Sequence, residues 1–424
     1  MFKWFLLLIA YIPFQVALNP GGSFDLSSLR VFIILLFFIC LVKIYQQCPW
    51  FYNLQAIGLF LFLILSSISL VNAENLFWGL RKIVFFISIF LLYFLVITLI
   101  NNWIKIEKVI RILFAASGLF ALIGLFQFLS QFIFSLEGVY GFWAINVLPI
   151  FSGFNLGEMI LTYPSWLVNV SGKTIMRAFS LFSDPHMFSF YLGLIIPLGI
   201  VLYFKRFNKI LLFIIYCSLF IGLLFTFTRG AYLAIIITFL VLSILLWFKS
   251  NLKGKKLAFL FCLSLLIFVV PNTPISDRIY SSFDLNEGSN IGRLEMWQQA
   301  GMLGLNNFWS GIGLGNYSLE IDSNLDYRNP ITAHNLYLDI FSEMGIFVLI
   351  IWLILIFGTI GYLFQLIKNT KDNNVKYLSI SLIGSMVYFS IHSFFETAIY
   401  QPSILALLMV ILGLSSILYA SENH

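Results

Sequence analysis

The sequence predicts an all-α integral membrane protein, a polytopic bundle of about a dozen transmembrane helices with two long external loops. Composition is the first observation. Of the 424 residues, 61% are hydrophobic and only 10% charged, and phenylalanine alone occurs 48 times; a soluble domain is nearer half apolar and a quarter charged. The second is run length. Segments such as 83–100 and 233–248 carry no charge and approach the ~18–20 residues that cross a bilayer. The third is texture. These runs are continuously apolar instead of alternating, which argues against a β-barrel, and lipid tolerates only barrels or helices because every backbone polar group needs a partner.

In chain order the spans are expected at 3–18, 30–45, 53–71, 83–100, 109–131, 186–204, 210–228, 231–248, 257–270, 335–366, 377–396 and 402–420. Lys3 followed by Trp4 to Leu18 has no small-residue cleavage site and reads as a first helix, not a signal peptide. The tenth span is long for one crossing, so it is expected to tilt or project. The whole chain, 1–424, reads as one membrane domain. Cys40, Cys48, Cys217 and Cys262 lie in or beside apolar runs and are expected to pack.

Charge sets the orientation. With the N-terminus inside, every cytoplasmic loop is basic, as the positive-inside rule demands. Thirteen of the fifteen lysines then fall inside, and seven of the nine arginines outside. Lysine suits a headgroup surface, whereas the arginine fork matches phosphate or carboxylate. The positive balance is thus a matter of topology, and no nucleic acid partner is expected. The external arginines point to an anionic ligand, best a phosphate. Cytoplasmic connections are too short to form a nucleotide-binding domain. The long external segments are 132–185, with aromatic interfacial stretches, and 271–334, which is polar and holds Asp277, Asp284, Glu287, Glu295, Glu320, Asp322 and Asp326. Loops of this length are usually functional.

Five stretches carry candidate chemistry. Arg177 leads to Asp184-Pro185-His186, an N-cap and first-turn pair opening a helix. Arg229 joins two apolar runs with almost no loop between them, and an arginine held at membrane depth is a functional candidate. Asn290 through Trp297 reads as an amphipathic helix capped by Asn290 and carrying Arg293. Gly311-Ile-Gly313-Leu-Gly315 follows no parallel strand, so it is a turn permitting close backbone approach, not a nucleotide loop. His334-Asn335 opens the tenth span, and histidine is the side chain best suited to general base work near neutrality. No histidine or cysteine lies at metal-ligand spacing from it. Glu396, near the outer end of the eleventh span, stands apart as an ionisable group in an apolar setting.

Together these stretches resemble the O-antigen polymerase and O-antigen ligase superfamily of bacterial membrane glycosyltransferases. The matching pieces are Arg177 to Tyr191, Thr228-Arg229-Gly230-Ala231, Gly292 to Trp297, Gly311 to Tyr317, and His334 to Gly345, in the family's order. The resemblance implies an enzyme of the cytoplasmic (inner) membrane, with both termini inside and its site on the external side. The donor is an undecaprenyl-diphosphate-linked oligosaccharide, in a lipid setting, and the acceptor a sugar hydroxyl. A polymerase passes the chain to another lipid-linked repeat unit and a ligase passes it to lipid A-core; a chain-length regulator protein is a further expected partner. Neither metal nor cofactor is implied, and the transfer inverts the anomeric carbon. By the same analogy His334 is the general base, Arg229, Arg177 and Arg293 hold the diphosphate, and Tyr317, Trp297 and Asn335 are candidate glycan contacts. Polymerase is the first reading and ligase the second. A lipid-glycan transporter or flippase is the third, and it would require internal repeats or broken helices at mid-membrane.

Overall fold

A computed structural model describes residues 1–21, 24–46, 53–153, 160–161, 165–170, 172–205, 207–283, 288–325 and 331–422. Cys48, Arg206, Asp284, Glu287, Asp326 and Arg328 lie outside the described residues. The fold is almost entirely helical. Among the described residues, eight helices are long and apolar enough to cross a membrane: Ser28–Gln46, Leu54–Asn72, Leu76–Leu99, Trp103–Ser130, Pro185–Phe204, Arg229–Lys249, Leu336–Asn369 and Pro402–Tyr419. The chain is a multi-pass membrane protein.

Eight falls short of the dozen read from the sequence. The first and seventh expected runs become the shorter apolar helices Phe2–Phe14 and Lys209–Leu224, below the length that spans a bilayer as a straight helix. The ninth becomes Leu252–Ser264 followed by a 3-10 turn. The eleventh, Asn373–His392, has the length but carries Ser379, Ser381, Ser385 and Ser390 along a largely buried helix.

Two antiparallel hairpins interrupt the helical pattern, Ala17–Gly21 with Phe24–Ser27 and Leu167–Val170 with Lys173–Met176. In the second, Gly172 turns at φ +82° and donates its N–H to Asn169 Oδ1 at 3.0 Å. The left-handed turn suits glycine, which lacks the Cβ that penalises this region. Such short pairings carry little hydrophobic periodicity, which is why the sequence showed only an interfacial loop there. Helical pieces Leu136–Phe142 and Leu148–Ser152 flank a π-helical turn in the same loop.

The chain divides into two compact units, the first formed by 1–32, 102–283 and 363–392, the second by 33–101, 284–362 and 393–424. In the first, Phe120 sits among Phe182, Phe188 and Tyr191. Gly193 lets the Tyr388 ring lie against its backbone, and Tyr388 donates its hydroxyl to Ser189 O at 2.8 Å. The buried extended segment 176–179 has few strand partners, and two glutamines one helical turn apart supply them. Gln131 accepts from Met176 N and donates to Met176 O, at 2.7 and 2.8 Å. Gln127 accepts from Phe179 N and donates to Arg177 O, at 3.1 and 3.2 Å. A buried backbone amide left unpaired would cost about 1–3 kcal/mol, so these side chains fix the path leading to Arg177.

In the second unit, Pro402–Glu422 packs on Leu76–Leu99, with Tyr93 and Ser416 hydrogen-bonded at 2.8 Å and Gly413 giving way to Val96. The long helix Leu336–Asn369 is not continuous: Gly345 takes φ +79° and breaks it. Unbroken, 34 residues would extend about 50 Å, well beyond a ~30 Å hydrocarbon core. The break leaves 346–369 as a length that crosses and frees 336–344 to carry site residues. It is made possible by close packing, because a Cβ at Gly345 would stand 2.3 Å from Trp309 O.

Candidate active site

The second unit assembles a histidine–carboxylate pair. Asn335 caps the helix start, its Oδ1 accepting from Tyr337 N and Leu338 N at 3.1 and 3.2 Å. The preceding residue, His334, takes φ +49°, a left-handed conformation uncommon outside glycine. Its surroundings enforce it. Ala333 N donates to Asp339 Oδ1 at 2.8 Å, and Leu336 N donates to Ser393 O at 2.9 Å. The turn aims the imidazole at Glu396, whose two oxygens lie 3.0 and 3.2 Å from Nδ1.

Glu396 is itself held. Its Oε1 accepts from Thr397 N at 3.2 Å, and the Thr397 hydroxyl donates to Asp339 Oδ2. Asp339 therefore braces both halves of the pair, the backbone before His334 and the residue after Glu396. The Glu396 side chain is 6% exposed and that of His334 41%, so the carboxylate backs a ring whose other edge is open. The Glu396 charge raises the His334 pKa above its ordinary value; partial burial and the Arg293 guanidinium oppose the rise without cancelling it. A neutral ring that donates Nδ1–H to Glu396 presents the Nε2 lone pair as acceptor, the tautomer a general base requires.

Below this pair, Glu343 is 3% exposed and meets Lys82 Nζ at 3.3 Å. Tyr400 donates its hydroxyl to Glu343 Oε2 at 3.0 Å, and Lys82 stands 3.9 Å over the Tyr400 ring. Glu343 Oε1 also accepts from Tyr317 N at 3.3 Å. The Gly311–Gly315 turn crosses here, with Ile312 N donating to Ser342 O and Gly313 N to Glu343 O, both at 2.9 Å. A Cβ at Gly311 would fall 2.3 Å from the Glu343 carbonyl carbon. The glycine-rich turn thus serves close approach to a helix.

The sequence candidates divide between the units. His334, Asn335, Arg293, Trp297 and Tyr317 belong to the second, Arg177 and Arg229 to the first. Tyr317 is 1% exposed in a small core with Ala300, Ile312 and Ala333, its pKa pushed up to about 12 by burial. Trp297 lies against Phe395, centroids 6.4 Å apart. The described helix Gly288–Asn306 already contains Asn290, which is therefore not its cap.

In the first unit, three arginines gather at the turn before helix Arg229–Lys249. Phe227 takes φ +48° in that turn. Arg177, 5% exposed, donates Nε to Thr226 O at 2.7 Å and Nη2 to Thr228 Oγ1 at 2.8 Å, tying the turn together. Arg278 donates Nε to Phe227 O at 3.3 Å, and Arg229 donates Nη1 to Ser281 O at 3.0 Å. Asp184 caps helix Pro185–Ile195 through Met187 N at 2.9 Å, as its sequence context indicates.

Three further residues of these clusters, Asp339, Glu343 and Arg278, were not singled out from sequence. Asp339 and Glu343 are spaced i, i+4 within an apolar run, a signal for a buried acidic pair on one helix face. Arg278 lay in a loop whose fold was illegible, and Glu396 had no visible partner because His334 is 62 positions away.

Residues 212–353 match the family model described as O-antigen ligase. That stretch contains Arg229, Arg278, Arg293 and the whole segment from the glycine-rich turn through His334 to Gly345. No curated protein matches the chain. The match covers about a third of the chain and supports its similarity to the O-antigen polymerase and ligase superfamily.

Proposed function

We infer that the protein is a glycosyltransferase of surface polysaccharide assembly, transferring an undecaprenyl-diphosphate-linked glycan to a sugar hydroxyl of another lipid-linked repeat unit. The observation that carries this is the His334–Glu396 pair, with Nδ1 3.0 Å from a buried carboxylate. In the reaction, Nε2 takes the proton from the acceptor hydroxyl as its oxygen bonds to the anomeric carbon. The bond from that carbon to the diphosphate oxygen breaks, and undecaprenyl diphosphate leaves with the electron pair. Attack from the face opposite the leaving group inverts the centre. The chemistry draws on a leaving group already activated, so it calls on neither nucleotide nor metal.

Arginines supply the counter-charge for the diphosphate, where fixed donors are worth most as charge develops. Arg229 and Arg293 fill that role in this reading. Arg177, engaged with Thr226 and Thr228, contributes by holding the turn that presents Arg229. The basic loops are assigned to the cytoplasmic side by the positive-inside rule, which puts both termini inside and the site on the outer face of the cytoplasmic membrane.

The ligase reading, with lipid A-core as acceptor, shares the support of the matched family model. Purified protein in lipid vesicles, supplied with a synthetic undecaprenyl-diphosphate repeat unit, decides between them. A ladder of longer glycans supports the polymerase, and glycosylation of added lipid A-core with no ladder supports the ligase. Neither product from folded protein would return the question to lipid-glycan transport.

A further inference from the structure

The first unit also contains a cavity of about 180 Å³ where the ends of several helices meet. It is lined by Trp103, Lys205, Asn251, Lys253, Asn374 and Tyr377, among others. All belong to the first unit. What distinguishes the cavity is its donor content. Lys205 meets neutral partners only among the described residues: Nζ donates to Asn374 Oδ1 at 2.5 Å and stands 5.2 Å from the Trp103 ring centre. Lys253 is exposed and, among the described residues, has no carboxylate partner.

The indole Nε1 of Trp103 is buried and, among the described residues, donates to no acceptor. A buried donor left in this state costs about 1–3 kcal/mol, so it calls for a partner. The ammonium groups are donors only, and an acceptor carrying negative charge satisfies them; the indole Nε1, which solvent does not reach, would join them once the ring turns. One wall is closely packed: Tyr377 stacks on Phe204 at 3.6 Å with an interplanar angle of 4°. In the adjoining helix ends and connections Lys105, Lys209, Lys249, Lys371 and Lys376 outnumber Glu107 and Asp372, so the local charge balance favours an anion.

We propose that this cavity binds a phosphate group, carried by an anionic lipid headgroup or by a small soluble phosphate. Basic pockets between helix ends at a membrane surface are suited to such headgroups. The volume exceeds the roughly 30 Å³ share of one water several-fold, enough for a phosphate with its attached oxygens. The site stands independently of the transferase reading, because none of its residues belongs to the candidate active site.

The test uses the full chain, delipidated in detergent, with lipid retention counted by native mass spectrometry. Phosphatidylglycerol is compared with phosphatidylcholine, and inorganic phosphate is supplied separately, its binding followed by ³¹P line broadening. Lys205→Gln with Lys253→Gln removes both charges, Trp103→Phe removes only the indole donor, and Lys43→Gln with Lys173→Gln removes two charges outside the cavity and its adjoining helix ends. One phosphatidylglycerol per chain is expected, weakened roughly fivefold for each cavity lysine removed. Trp103→Phe should weaken it as well, the outer pair should not, and all variants should keep the unliganded melting temperature. Binding of phosphate with the same variant pattern and no lipid preference would support the site with a soluble ligand. Binding insensitive to the cavity variants, equally sensitive to the outer pair, or absent for both probes would overturn it.

Discussion

The carboxylate of Glu396 is held behind His334, its oxygens 3.0 and 3.2 Å from Nδ1, although 62 positions separate the two residues in the chain.

This pairing fixes the sign of the pH dependence. Glu396 raises the His334 pKa, so the base is protonated and inactive up to a pH above the ordinary imidazole value of 6.5. Glu396→Gln is expected to move the acid limb of the rate profile to lower pH. The limiting rate should fall at least about tenfold, because the ring loses its orienting partner. Stability follows the opposite limb. A raised folded-state pKa contributes stability below the unfolded value that is lost as pH rises through the folded one. The melting-temperature gap between wild type and Glu396→Gln should therefore be widest below pH 6.5 and narrow as the pH climbs above it. A rate profile unmoved by the substitution would contradict the pairing.

Asp339 joins Ala333 N to the Thr397 hydroxyl, and two variants separate its geometry from its charge. Asp339→Ala leaves the buried Ala333 amide unpaired and is expected to cost about 1–3 kcal/mol in chemical denaturation, with loss of transfer. Asp339→Asn keeps an acceptor for Ala333 and a group to meet Thr397, so it should retain more of both. Equal loss in the two variants would show that the charge, not the brace, is what matters.

The arginines should separate by what each one touches. Arg177→Lys cannot reproduce the forked contact with Thr226 O and Thr228 Oγ1, so a lowered melting temperature is expected. Arg229→Lys keeps the charge but loses the planar fork. It is expected to raise the KM for the lipid-linked donor with a smaller change in thermal stability. The reverse pattern would exchange the two roles.

Gly345→Ala tests the helix break. Its Cβ would meet Trp309 O at 2.3 Å from a backbone at φ +79°, ψ −179°, a region essentially reserved to glycine whose occupation alone costs about 1–3 kcal/mol. Destabilisation by at least that amount is expected in denaturant titrations. Gly361→Ala, on the same helix with open space around it, should be neutral or slightly stabilising.

How much of this was legible in the sequence varied with the range of the physics. Apolar runs are local, and each of the twelve became a helix; whether each crosses is not local, because Phe2–Phe14 and Lys209–Leu224 stop short and the remaining length depends on turns. The Asp184 cap and the close approach of Gly311–Gly315 were readable because residue type and conformation are tightly linked there. The Gly345 break was not, since it needs Trp309 packed against it. His334 could be singled out by its position at a helix start. Its partner could not, because only folding brings Glu396 and Asp339 to it. Arg177 showed the same limit: residue type indicated phosphate, and packing engaged its fork with a backbone turn.

The most direct test of the central claim is consumption of an undecaprenyl-diphosphate-linked glycan by reconstituted wild type and His334→Ala, measured with acceptor in excess. Donor loss with release of undecaprenyl diphosphate is expected in wild type, slowed about 10²–10⁴-fold in the variant at unchanged donor affinity. Wild-type rates in folded His334→Ala would contradict it.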